Sequence, residues 1–174
     1  MLGFEERGSV LSSRCTIPFH ICGEPTRTAQ TGTCLVHHDT SLVLLVVHEG
    51  TAELSAKDRE AQIVAAAVAA FQSNNRNRSR LGMERKDRMS IPCLAMVGTR
   101  PVFYVVPVTQ QLSTAVERGQ CPEHTTEVRK CAVVGERRQL DEGMEMPDFR
   151  LEALKHFVLF RSLAKSLWSE FLAD

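Results

Sequence analysis

At 174 residues, 43% of them apolar and 24% charged, the chain has the length and composition of one globular domain that folds without disulfide or metal staples. Twenty-one basic residues balance 21 acidic ones, which excludes a global electrostatic pull toward nucleic acid or an anionic membrane. The longest apolar runs, Leu42–Val47 and Ile63–Phe71, are too short to cross a bilayer, and Met1–Val10 has no signal-peptide core, so an intracellular protein of cytoplasm or nucleus with no membrane partner is expected.

Residues 1–16 read as a weakly structured N-terminal segment, and 17–174 as a single α/β domain. The first strand is expected at Ile17–Cys22, followed by a Gly/Pro/Thr loop over Gly23–Gln30. Thr31–His37 and Leu42–His48 are β-rich and joined by His38-Asp39-Thr40-Ser41, a hairpin connection. The second run is apolar without alternation, the pattern of a strand buried on both faces. An Ala-rich helix follows, with Asp58 as the expected N-cap and an end near Asn75. Apolar almost all round over Ile63–Phe71, it should be sandwiched rather than surface-laid.

Ser73–Arg80 reads as a polar, basic stretch leaving that helix. Ile91–Val97 and Val102–Val108 form two strands around the turn Gly98-Thr99-Arg100-Pro101. Pro107, lacking an N–H, belongs on a sheet edge or at a strand exit. Gln110–Arg118 is a short helix closed by Gly119, and Thr125–Val134 alternates as a further strand. Gly135–Gly143 is charged loop. Pro147 and Asp148 suit the first turn of a long C-terminal helix. Its apolar positions are Leu151, Leu154, Phe157/Val158, Leu163/Ala164, Leu167/Trp168 and Phe171. The sum is a mixed β-sheet flanked by helices.

The six cysteines, at 15, 22, 34, 93, 121 and 131, form no C-x-x-C pair or zinc spacing and read as reduced, mostly buried thiols. His37, His38 and His48 sit near strand ends, but neighbours in a strand point to opposite faces, so they read as solvent-exposed rather than as zinc ligands. Ser12, Ser13 and Cys15 show no nucleophile motif with a paired base.

Thr31-Gly32-Thr33-Cys34-Leu35, the turn, Leu44–Thr51 and the helix segment Glu60-Ala61-Gln62 together resemble the PD-(D/E)XK (restriction-endonuclease-like) nuclease core. More narrowly, the chain is similar over roughly residues 17–170 to a group of uncharacterised fungal (basidiomycete) proteins with that layout. Further matching segments run from Ala69 to Arg78, from Ile91 to Tyr104 and from Gly143 to Arg150. The resemblance implies a restriction-endonuclease-like sheet and, in an active member, an acidic residue on one hairpin strand and a Glu-x-Lys on the next, holding magnesium. The acidic position falls on Gly32, the glutamate on Glu49 and the lysine on Thr51. Two of the three functional groups are therefore missing.

This points first to a non-catalytic binding or scaffold domain on a degenerate nuclease-like fold, with no cofactor and with a protein or nucleic acid as partner. The alternative is a magnesium-dependent nuclease in which Glu49, Lys57 and Gln62 are catalytic and Asp39, Glu53 and Glu60 join Glu49 on the metal. A second alternative is nucleic-acid binding without cleavage through Arg76, Arg78 and Arg80, with Arg85, Lys86 and Arg88 following.

Overall fold

The computed structural model describes residues 3–4, 8–50, 55–134 and 143–173, with the side chains of Glu49 and Gly50 outside that description. The elements run β1 (Ser9–Ile21), β2 (Glu24–His37), β3 (Val43–Gly50), α1 (Ala56–Arg80), β4 (Arg88–Val97), β5 (Arg100–Thr109), α2 (Gln110–Arg118), β6 (Arg129–Ala132) and α3 (Pro147–Leu172). The strands form one sheet in sequence order, β1 to β6. All neighbours are antiparallel except β3 and β4, which are parallel. A parallel pair cannot be closed by a tight turn, and α1 supplies the crossover. The mixed sheet with helices is therefore as expected.

Helices cover both faces of the sheet. Phe103 and Tyr104 are successive residues of β5 and point to opposite sides. Phe103 packs on Phe157 and Phe160 of α3. Lys130, stacked over Tyr104, binds Glu60 of α1. The central strands are buried accordingly: Val43–Val47 of β3 and Ile91–Ala95 of β4 are closed off from solvent.

Several boundaries differ from the sequence reading, each for a physical reason. The first strand begins at Ser9, not Ile17, and pairs with β2 from Ser9↔His37 onward. Gly23–Gln30 is not a loop: the turn takes only Cys22 and Gly23, and β2 starts at Glu24. These are edge residues whose side chains face solvent, so backbone pairing defines the strand while apolar alternation, the signal available in sequence, is missing. Phe4 is also fixed, 1% exposed and 6.3 Å from the Phe160 ring. At the far edge, β6 shortens to Arg129–Ala132 with every residue exposed. Pro107 lies past the last β5–β6 rung, Val105↔Arg129, where β5 has no outer strand to receive an N–H.

α1 begins one turn earlier and ends later than its composition suggests. Ser55, not Asp58, is the N-cap: its hydroxyl accepts from the Asp58 N–H (3.2 Å) and donates to the Asp58 carboxylate (2.7 Å). The helix runs through Asn74 and Asn75 to Arg80, because their amides are used in tertiary contacts rather than in a turn. Asn74 is fully buried. Its Oδ1 accepts from the Val43 N–H (2.7 Å) and its Nδ2 donates to the Val43 carbonyl (3.0 Å), as a strand neighbour would. Asn75 makes the same two-way pair with the Lys86 backbone, both at 2.9 Å. Asn74→Ala should cost about 2–3 kcal/mol, since it orphans a buried donor and acceptor on β3. Urea unfolding midpoints check this, and a loss below about 0.5 kcal/mol, the range of a neutral surface change, would mean that water replaces the amide.

α2 matches its expected bounds. Thr109 caps it by accepting from the Leu112 N–H (3.1 Å), and Gly119 ends it at φ 67°, a left-handed conformation open to glycine. α3 also begins at Pro147 as expected, and Phe157, Ala164, Trp168 and Phe171 of the expected stripe are buried while its Leu151, Leu154 and Leu163 are not. Phe149, Ala153, Phe157, Phe160, Ala164, Trp168 and Phe171 point inward, while Leu151, Leu154, Val158, Leu159 and Leu163 are exposed.

Candidate functional site

The candidate site lies where the hairpin β2–β3 meets the parallel pair β3–β4. The last rung of the hairpin is Thr33↔Val47. Gly32 and Glu49 lie just beyond it, and Glu49 is beside Met96 at the carboxyl end of the parallel pair. That end of a parallel pair, where the crossover helix departs, is where open α/β sheets tend to hold ligands. The backbone therefore brings together the two strand positions to which the resemblance assigns the site. One of them is glycine and has no side chain to offer an ion.

The other expected ligands disperse. Asp39 sits in the turn at the closed end of the hairpin, and Val43 to Glu49 alone spans roughly 20 Å of extended strand. Its carboxylate accepts a hydrogen bond from His38 Nδ1 (2.8 Å), which holds it below the usual aspartate range. Glu60 is held by Lys130 of β6, which lies three strand spacings, roughly 14 Å, from β3. The contact pushes the Lys130 ammonium above its ordinary range. Lys57 and Gln62 are exposed on the first turns of α1. Glu53, with Thr51, lies outside the described residues. Asp39 stands at the opposite end of β3 from the Glu49 position, and among the described residues no three His, Cys, Asp or Glu side chains cluster to hold a metal. Among the described residues, the donors present do not fit the metal that the resemblance implies.

A carboxylate that sequence reading passed over, Glu145, comes to the same end of the sheet. It accepts from the Thr99 hydroxyl in the β4–β5 turn, which lowers its pKa below the ordinary glutamate value. Only the match at Gly143–Arg150 hinted that this segment folds back on the turn.

The histidines separate too. His37 Nδ1 contacts the Thr40 hydroxyl (2.9 Å) at the closed end, while His48 lies on β3 next to Glu49 and is partly buried, with Nε2 enclosed and making no hydrogen bond. The expectation of exposed histidines holds for His38 alone.

The arginine triplet is corrected. Ser73–Arg80 is helix, and two residues on a helix turn about 200°, so Arg76 and Arg80 share a side and Arg78 points the other way. Arg76 and Arg80 are exposed. Arg78 is fully buried and donates to the carbonyls of Glu84 (2.6 Å), Phe171 (2.7 Å) and Ala173 (3.3 Å). It ties the end of α1 to the end of α3 and is closed to phosphate. Arg76 and Arg85 line a recess of about 140 Å³ with His20, Gln72, Ser113 and Glu117. A larger groove, about 530 Å³ between α2 and residues 120–126, starts at Thr109, the end of β5 opposite the Glu49 region.

The thiols are also less buried than expected. Cys34 and Cys93 are buried and Cys15 is partly so, but Cys22, Cys121 and Cys131 are exposed. All six are free. Comparison with family models, with curated proteins and with solved structures finds no match to this chain.

Proposed function

We propose that the chain is a non-catalytic protein-binding domain built on a restriction-endonuclease-like fold. The observation that carries this reading is Gly32: it lies beside the end of the β2–β3 hairpin, at the position to which the resemblance assigns a carboxylate, and has no side chain to supply one. The order of three antiparallel strands, a crossover helix and a parallel strand supports the fold, as does the segment-by-segment resemblance. Support for a protein partner comes from α3, whose outer face carries Leu151 (59% exposed), Val158 (53%) and Leu159 (69%). A contiguous apolar patch exposed on a helix face is the kind of surface that interaction sites use.

No helix of the described residues is long and apolar enough to cross a membrane.

The deciding experiment is a plasmid-nicking assay under magnesium and manganese titration, with wild type and Glu49→Ala in parallel. No metal-dependent cutting is expected from either. Cutting by wild type that disappears in Glu49→Ala would overturn the reading and favour a nuclease with relocated ligands.

A second reading, nucleic-acid binding without cleavage, is favoured by the shared exposed side of Arg76, Arg80 and Arg85. It requires salt-dependent anisotropy of labelled DNA or RNA that is lost when these three become alanine and kept in Glu49→Ala.

A further inference from the structure

The recess beside the crossover helix gathers nitrogen donors that the fold leaves without an anion. It measures about 140 Å³ and lies where the end of β1, the second half of α1, the segment after α1 and α2 come together. Arg76, Arg85 and His20 line it. Among the described residues no carboxylate comes within 4.0 Å of either guanidinium, and the His20 imidazole makes no hydrogen bond.

The elements that carry these donors are fixed. The buried Gln72 amide accepts from the His20 N–H (2.9 Å) and donates to the His20 carbonyl (3.1 Å), which locks β1 to α1 one turn before Arg76. Asn75 holds the Lys86 backbone in the same two-way manner, next to Arg85. Arg85 Nε donates to the Ser79 hydroxyl (2.7 Å), which orients the guanidinium and leaves its terminal N–H groups for a ligand. On the other side, α2 is tied to the turn after β1: the Cys22 N–H donates to the Val116 carbonyl (3.0 Å) and the Gly23 N–H to the Glu117 carbonyl (2.7 Å). α2 also brings an acceptor. Glu117 lines the recess, and one of its carboxylate oxygens takes the hydroxyl proton of the fully buried Ser113 (3.2 Å). Donors and carboxylate therefore share one recess without a salt bridge between them.

We propose that this recess binds a phosphate group that still carries a proton, as inorganic phosphate or as the end of a phosphate monoester. Guanidinium forks match the oxygens of a tetrahedral oxyanion, and donors held by backbone contacts lose little freedom on binding. The volume suits one such group and not a nucleotide. Arg76 and Arg85 are exposed, so the rest of an ester stays in solvent. Glu117 selects among oxyanions. Its carboxylate repels one without a proton but accepts the hydrogen of a P–OH. A phosphate monoester carries about −1.5 to −2 charges at pH 7, so part of it keeps that hydrogen. Sulfate keeps none, and a phosphodiester has none to give. The ligand is thus different from the nucleic-acid backbone of the second reading above, and the protein-binding reading is not needed for it.

The test is an amide-shift titration of the full isotope-labelled chain at constant ionic strength. Inorganic phosphate, sulfate, phosphoserine and a short DNA duplex are the separate probes. Phosphate should produce saturable shifts at His20, Arg76, Arg85, Ser113 and Glu117, and sulfate should bind about tenfold more weakly, the loss of one hydrogen bond to a charged group. Phosphoserine binding as well as phosphate or better assigns the recess to monoesters; phosphate binding without phosphoserine assigns it to the free ion. Arg76→Gln removes a side chain that has no hydrogen bond or ion pair in the fold and should weaken phosphate binding by about tenfold. Glu117→Gln can still accept from Ser113 and should erase the preference for phosphate over sulfate. The wild-type preference is read without any variant, so it stands even if a substitution impairs folding. No saturable shift in the recess, equal binding of sulfate and phosphate by wild type, a duplex that produces the same recess shifts, or an Arg76→Gln chain that binds phosphate unchanged would each overturn the proposal. None of these readouts depends on whether the chain cuts DNA.

Discussion

Replacing Arg78 with alanine should lower the unfolding free energy by about 4 kcal/mol, one of the largest effects expected of a single substitution in this chain. Arg78 has no exposed surface, so its guanidinium is held out of water and needs hydrogen-bond acceptors around it. Among the described residues no carboxylate pairs with it. Backbone carbonyls compensate the charge instead, two of them from the last turn of α3, where the helix dipole is negative. Alanine would leave the Phe171 carbonyl buried and without a donor, expose two half-buried carbonyls to poor solvation, and open a cavity. Partial access of water to the Glu84 and Ala173 oxygens keeps the estimate below three full penalties.

Arg78→Lys keeps the charge but not the fork that reaches Glu84 and Phe171 together, so about half the loss is expected. Arg78→Met fills the volume without donors and should resemble alanine. The alanine variant should melt roughly 10 °C lower. Amide exchange should rise first in the last turns of α1 and α3. A variant within 1 kcal/mol of wild type would show that α3 is held by its apolar face alone.

Arg78 also shows where the sequence stops being legible. Ser73–Arg80 has the composition of a solvated loop, and nothing local says that Asn74 completes a strand, that Asn75 ties down Lys86, or that one arginine in three is a clamp. The helical period alone would have set Arg78 apart from Arg76 and Arg80, but only after the segment was recognised as helix. Where local signals agree, they suffice. The turn at 38–41, the unalternating β3, the hairpin at Gly98, the capped helix Gln110–Arg118 and Pro147 at the start of α3 are all where the residue pattern puts them. Edge strands are the systematic loss, because their pairing lies in backbone groups that carry no sequence signature.

At the site, Gly32 and Glu49 follow from motif spacing. That the Thr31 hydroxyl meets Cys34 Sγ is not legible there, because strand periodicity sets residues 31 and 34 on opposite faces. The dispersal of Asp39 and Glu60 is likewise a matter of which end of a strand, and which edge of the sheet, each occupies.

The two apolar stripes of α3 give the last case, and Phe103→Ala is the substitution that separates them. Both stripes recur at helical spacing, so periodicity cannot choose between them. Bulk does. The aromatic stripe buries more surface per residue and meets Phe103 of β5, which is 3% exposed, edge-on to Phe157 at 5.1 Å and tilted against Phe160 at 4.9 Å. His156 stacks on the same ring at 6.3 Å. Removing it leaves a cavity under α3 and ends these ring contacts, for an expected loss of about 4–5 kcal/mol. Phe103→Leu, which keeps most of the volume, should lose about 1.5–2 kcal/mol. On the outer stripe, Leu159→Ala should change stability by less than about 0.5 kcal/mol, since that side chain is exposed in the folded chain as well.

The pair of measurements bears on function. If Leu159→Ala destabilises as Phe103→Ala does, the leucine stripe is core and offers a partner nothing. If it is neutral, stability does not account for this exposed apolar side chain, as the proposed binding role expects.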